Sequence, residues 1–155
     1  RDLGTAVEST VYTVGNVADV SATHTNGTDD VYAVADGKLP KSSSDTSIPR
    51  WTSWSQKGKE QQVEIKLKKA QEIESISVYW YDDQGGVQLP VSWSIEYYAQ
   101  GVWHPFKLYV TDVYGIQANQ FNMVHPAETF TTGSIRLNIT PQEYATVGIL
   151  EVQIE

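Results

Sequence analysis

Two pairs of adjacent carboxylates, Asp29-Asp30 and Asp82-Asp83, are the residues whose type and spacing first suggest chemistry. Two carboxyl groups can hydrolyse a glycosidic bond when one donates a proton and the other attacks or activates water. That requires the pair to face each other across a cleft about 5–10 Å wide, whereas neighbours in a chain usually diverge. Aspartates in loops most often accept hydrogen bonds from nearby backbone amides. Other catalytic sets are missing. The chain has no cysteine, so it has no thiol nucleophile, thiolate metal site or disulfide. His24, His104 and His125 are far apart, with no pair at zinc-ligand spacing. No G-x-S-x-G elbow, glycine-rich phosphate loop or H-E-x-x-H motif occurs.

These groups must be positioned by the rest of the chain. Its 155 residues suit one domain. The net charge of −8 argues against sequence-independent nucleic-acid binding, which needs a positive surface. No apolar run approaches the roughly 20 residues of a membrane-spanning helix. No leader segment opens the sequence, and Arg1 reads as the start of an excised or processed piece. Five tryptophans and nine tyrosines against one methionine suit pleated, half-buried strands.

The dominant period is two. It runs through Val63-Glu64-Ile65-Lys66-Leu67-Lys68, Ile76-Ser77-Val78-Tyr79-Trp80, Val91 to Tyr97, Ile135 to Ile139, and Leu150 to Ile154. Each segment is expected to be a strand with one buried face. Alternation of this kind belongs to antiparallel sheets, so the predicted fold is an all-β antiparallel sandwich. Trp51, Trp80, Trp93 and Trp103 are expected in the core, with Tyr79 and Tyr98 outside. Asn26-Gly27, Asp36-Gly37, Gly85-Gly86 and Gln100-Gly101 are turn dipeptides, the last closing a hairpin. Residues 37–58 form a long loop, a feature that is usually functional, and 107–119 are irregular. The lysines at 57, 59, 66, 68 and 69 read as a solvated outer face that also discourages edge pairing. Residues 1–15 read as a separate edge strand or linker from a preceding domain, and 16–155 as the sandwich.

Several segments together resemble a known family. They are Asn16-Val17-Ala18, Asp36-Gly37, Trp51, Val63-Glu64-Ile65, Ile73 with Ile76 to Trp80, Gly101-Val102-Trp103, Ile135-Arg136-Leu137 and Gly148-Ile149-Leu150-Glu151-Val152. In this order they are similar to the galactose-binding-domain-like jelly roll of discoidin domains and family 32 carbohydrate-binding modules. The strings Asp45 to Trp54, Val78 to Asp83 and Leu89 to Trp93 resemble non-catalytic C-terminal modules of Bacteroides-type glycoside hydrolases, β-L-arabinofuranosidases among them.

The resemblance implies a carbohydrate-binding accessory module, attached in cis to a secreted or periplasmic glycoside hydrolase. It implies a glycan site in the loops at one end, with Tyr32, Arg50, Trp54, Tyr81, Asp82 and Asp83 as candidates. An aromatic plate meets the C–H face of a sugar while polar side chains meet its hydroxyls. It also implies a structural Ca²⁺ ion held by Asp36, Asp45 and Glu151 with backbone carbonyls near Val34 and Lys38. Here the sequence departs from the family's pattern, because Lys38 follows the Asp-Gly turn and Asp45 comes later. Three other readings stand beside this one: a structural module packed on its parent enzyme with no ligand, a glycosidase using Asp82 or Asp83, and a protein-binding discoidin domain. The sequons at Asn26 and Asn138 carry no meaning in a bacterial protein.

Overall fold

The computed structural model describes residues 13–155. Most of the expected segment 1–15 therefore lies outside the described residues. Among the described residues, nine strands form two antiparallel sheets. The first has five strands: β1 (Val17–Ala22), β3 (Gln61–Ile73), β8 (Phe130–Thr140), β5 (Ser92–Ala99) and β6 (Val102–Pro105), in that order. The second orders β2 (Trp51–Thr52), β9 (Gly148–Ile154), β4 (Ile76–Tyr81) and β7 (Asn122–Val124). A 3-10 turn over Val31–Ala35 follows β1. The all-β sandwich anticipated from the alternating pattern is the fold observed. No helix among the described residues is long and apolar enough to cross a membrane.

The alternation in β3 places Val63, Ile65 and Leu67 inward and exposes Lys66 and Lys68. Ile135, Leu137 and Ile139 of β8 and Trp93 and Ile95 of β5 meet them from the same sheet, facing Ile76, Val78, Trp80 and Ile149 of the other. Burying an indole requires a partner for its N–H. Trp80 and Trp93 pack edge to face, with centroids 5.3 Å apart, and both donate to the Gly115 carbonyl, at 3.2 and 2.8 Å. Trp51 donates to the His24 carbonyl at 3.0 Å. The irregular segment 107–119 is thus fastened to the core by the tryptophans it covers.

The β5–β6 hairpin turns on Gln100 (φ 55°) and Gly101 (φ 82°), with Ala99 opposite Val102. Two central residues at positive φ match the twist of the flanking strands. A Cβ on Gly101 would meet nothing within 4 Å, so Gly101→Ala tests backbone strain alone. It is expected to cost about 1 kcal/mol, read as a lower urea midpoint with an unchanged slope.

Two expectations about side-chain direction are corrected. Tyr79 is buried, at 5% exposure, as is all of β4. The 37–58 loop and residues 116–121 close over the outer side of that strand, where Tyr79, Tyr81, Val87 and Leu150 pack with Ile48 and Phe121. Ser43 and Asn119 join the two loops: Asn119 Oδ1 accepts from Ser43 N, and Asn119 N donates to Ser43 Oγ, each at 2.8 Å. Trp103 is not in the core. It lies half-exposed on the outer side of the five-stranded sheet, edge to face with Tyr98 and 4.2 Å from the Arg136 guanidinium. Its strand is short and at the sheet edge, so strand phase alone did not fix the sheltered side.

Candidate functional site: a loop-end cleft and a buried carboxyl pair

A cleft of about 220 Å³ opens at the end of the sandwich where β4 leaves and β9 enters. Arg50, Trp54, Tyr81 and Asp83 line it together with Asn26, Asp29, Thr52, Gly86 and Val87. Four of the six expected loop residues therefore converge. Tyr81 is the last residue of β4 rather than a loop residue, and at 4% exposure it forms the floor. The Arg50 guanidinium lies 4.9 Å from its ring centroid. Burial raises the Tyr81 phenol pKa, and the Arg50 charge works against that rise.

Trp54 is the exposed aromatic of the cleft, at 39%. Its indole rests on Gly86, where a Cβ would stand 2.1 Å from the ring. Glycine is therefore required under the indole. The Trp54 backbone is held from two sides: its carbonyl meets His24 Nε2 at 3.0 Å and its amide donates to Thr52 Oγ1 at 3.4 Å. Lys57 Nζ lies 5.5 Å from the ring centroid.

The carboxylates sort themselves by local bonding. Asp29, with its side chain 3% exposed, accepts from the Thr52 hydroxyl and lies 3.9 Å from Arg50 Nε. Its neighbour Asp30 turns away and caps the 3-10 turn, accepting from Tyr32 N at 2.9 Å. Asp83 lines the cleft while accepting from Gly85 N and Val87 N, at 2.7 and 3.1 Å. Asp82 accepts from Gln84 N at 2.7 Å and does not line the cleft. Tyr32 does not line it either, and donates its hydroxyl to Asp19 at 2.7 Å. Sequence reasoning missed Asn26, Asp29, Thr52, Gly86 and Val87 as cleft residues. The Gly85-Gly86 dipeptide was read as a turn, but its role as a seat for an indole depends on a segment more than thirty residues away.

The three expected metal ligands do not converge. Among the described residues no group of three His, Cys, Asp or Glu side chains could hold a metal. Asp45 is used by its own loop, accepting from Lys41 N, Ser47 N and Ser47 Oγ at 2.9, 2.8 and 2.6 Å. These bonds hold its carboxyl at about 2. Asp36 and Glu151 do come together. Glu151 is 3% exposed, and its Oε2 accepts from Gly37 N at 3.0 Å. Its Oε1 is buried with no hydrogen-bond partner. Burial first, and the adjoining Asp36 second, push the Glu151 carboxyl up to about 9. Burial likewise raises Asp36. A pair of carboxyls in this setting must share a proton or meet a cation.

Fold and cleft define a β-sandwich that presents a polar-aromatic hollow on the loops at one end. The chain belongs to the F5/8 type C domain family, which matches residues 17–152. Solved structures share the fold. A chain from the Streptococcus pneumoniae β-galactosidase BgaA is 22% identical with a TM-score of 0.70, over 90% of this chain and 97% of that one. The family 32 carbohydrate-binding module of C. perfringens NanJ, in complex with galactose, is 18% identical with a TM-score of 0.66, over 88% and 91%. The corresponding module of AlyQ, in complex with 4,5-unsaturated mannuronic acid, is 20% identical with a TM-score of 0.64, over 90% and 95%.

Proposed function

We propose that this chain is a non-catalytic carbohydrate-binding module serving a larger secreted or periplasmic glycoside hydrolase in cis, with a glycan held in the loop-end cleft. The observation that carries this reading is the half-exposed Trp54 indole, seated on Gly86 and set beside Arg50, Asp29 and Asp83. An aromatic plate next to fixed polar groups suits a sugar, which has one apolar face and a rim of hydroxyls. The hollow is small, about 220 Å³. The solved structures of like fold include modules bound to galactose and to an unsaturated uronic acid. The carboxylates of the cleft are engaged with Thr52, Arg50 and the 83–87 turn, which suits binding better than proton transfer. Weak single-site affinity is sufficient, because tethering to an enzyme raises the effective sugar concentration.

A glycan array followed by calorimetric titration tests the reading. Binding of at least one glycan at millimolar concentration or below is expected. If plant and host glycans all fail at millimolar sugar, a structural module packed against its parent enzyme replaces this reading.

Asp36 and Glu151 are proposed as carboxylate ligands of a structural Ca²⁺ ion, without Asp45. A hard cation takes oxygen donors, and it would take the place of the proton that the hydrogen-bonded Asp36 and Glu151 carboxyls otherwise share. The ion would supply charge neutralisation there and fasten the turn at Asp36-Gly37 to β9.

A further inference from the structure

We propose that the outer face of the five-stranded sheet is a second carbohydrate-binding surface, which holds an internal stretch of a neutral polysaccharide against Trp103. It is separate from the loop-end cleft and does not require that cleft to be occupied. An open trough of about 570 Å³ crosses this face, lined by Glu64, Lys66, Tyr98, Trp103 and Ser134, with Gly133 and the largely buried Leu67 beside them. A smaller hollow of about 380 Å³, lined by Thr23, Glu60, Gln62, Asn138 and Thr140 among others, lies toward the loop end. Such a face on a two-layer sandwich ordinarily carries scattered polar side chains. Here it carries an aromatic pair, Tyr98 and Trp103, directly opposite in register with centroids 5.3 Å apart.

The pair is fixed in place. Arg136 holds its guanidinium 4.2 Å from the Trp103 centroid, and its Nε donates to Glu96 Oε1 at 2.7 Å. Asn138 Nδ2 donates to the same oxygen at 2.9 Å, and Gln62 Nε2 donates to Asn138 Oδ1 at 2.7 Å. This bonded chain runs from one hollow to the other. Both donors to Glu96 fall on its Oε1. Ser134 Oγ donates to Glu64 Oε2 at 3.1 Å, so Glu64 is held as well. Side chains already fixed lose little freedom when a ligand arrives.

The chemistry selects the occupant. The Trp103 indole, flanked by carboxylate and amide groups, fits the alternating C–H and hydroxyl surfaces of a sugar chain; Tyr98 stands at 68° to it and Arg136 lies over the ring, so a sugar would meet the ring face that Arg136 leaves open. A trough open along the sheet admits a continuing polymer, whereas the cleft is sized for a short glycan. In the trough Glu64 offsets Lys66, and Arg136 beside it is paired with Glu96, while Glu60 of the adjoining hollow adds a negative charge, so nothing on this face attracts an acidic polymer. Tyr98, Trp103 and Arg136 are residue types that protein interfaces also favour, so a protein partner is the reading that replaces this one if the neutral polymers fail.

Affinity electrophoresis of the whole chain in gels containing β-1,4-galactan, α-1,5-arabinan, xyloglucan or galactomannan tests the proposal, with polygalacturonate as the acidic comparison. Trp54→Ala is expected to remain retarded by at least one neutral polymer. Adding Trp103→Ala should then weaken that retardation roughly tenfold, the scale of a buried aromatic anchor. Amide and indole resonances in the wild-type chain guard against misfolded variants. On addition of the retarding polymer, signals of Trp103, Tyr98 and Ser134 should shift. Four results overturn the proposal: Trp54→Ala alone abolishing every interaction, Trp103→Ala leaving the residual retardation unchanged, these resonances staying still, or only polygalacturonate engaging the face. Absence of retardation of the wild-type chain by all the neutral polymers overturns it too. Failure of the loop cleft would read differently, as Trp54→Ala having no effect on any glycan.

Discussion

Trp54→Ala should weaken glycan binding by about tenfold or more, as expected for an aromatic anchor, while leaving the melting temperature almost unchanged. The asymmetry follows from where the indole sits. It is 39% exposed and belongs to neither buried apolar cluster, so its loss opens no core cavity and costs within about 1 kcal/mol of stability. Gly86→Ala should produce the same binding defect without deleting any contact group. The added Cβ would stand 2.1 Å from Trp54 Cζ3, so the ring must leave its seat. That crowding should itself cost about 1–3 kcal/mol. Calorimetric titration with the tightest glycan from the array, paired with thermal melts, separates the two effects. If Trp54→Ala instead lowers stability by several kcal/mol with binding intact, the indole is a packing residue and the cleft is not the glycan site.

The second large effect concerns Glu151. Removing calcium with a chelator should lower the melting temperature by about 5–10 °C, since an ion bound only by the folded state stabilises by mass action and a domain of this size shifts about 2–4 °C per kcal/mol. Without the ion, stability should also depend on pH in a defined sense. Glu151 is pushed up to about 9 in the folded chain from an ordinary 4.5. Between these values the folded state keeps a proton that the unfolded state releases. The contribution is therefore complete below about 4.5 and is lost as pH rises toward about 9. Asp36 is raised too and acts in the same sense. Calcium should oppose this slope, because it binds the deprotonated pair. Glu151→Gln keeps the shape and removes the charge, so it should flatten the chelator-treated pH profile and abolish the response to calcium. Melts that are indifferent to chelator and calcium across this range would dismiss the ion.

Much of the architecture is legible in the sequence. The alternation in Val63 to Lys68 and Ile135 to Ile139 names one sheltered side per strand because side chains in a strand point to opposite faces. Gln100-Gly101 names its hairpin because few residues tolerate two successive positive φ angles. Adjacent carboxylates diverge, as the chain geometry leads one to expect: the two members of Asp29-Asp30 and of Asp82-Asp83 accept from different groups.

Other features depended on segments far apart in sequence. Tyr79 and Tyr81 are buried because the 37–58 loop and residues 116–121 fold back over β4, and no period within Ile76–Tyr81 records what will cover it. Glu151 reads in sequence as one more polar residue of an alternating strand, and only the approach of Asp36 and Gly37 makes it a buried carboxyl with an orphaned oxygen. Asp45 matched the family's spacing loosely, yet its own loop supplied three donors first. The sequence by itself therefore determined strands, turns and the two-layer class, since those follow from local sterics and the periodicity of burial. The cleft, the carboxyl pair and the Trp103 face were decided by the tertiary structure, because each is built from residues that become neighbours only when distant loops and strands meet.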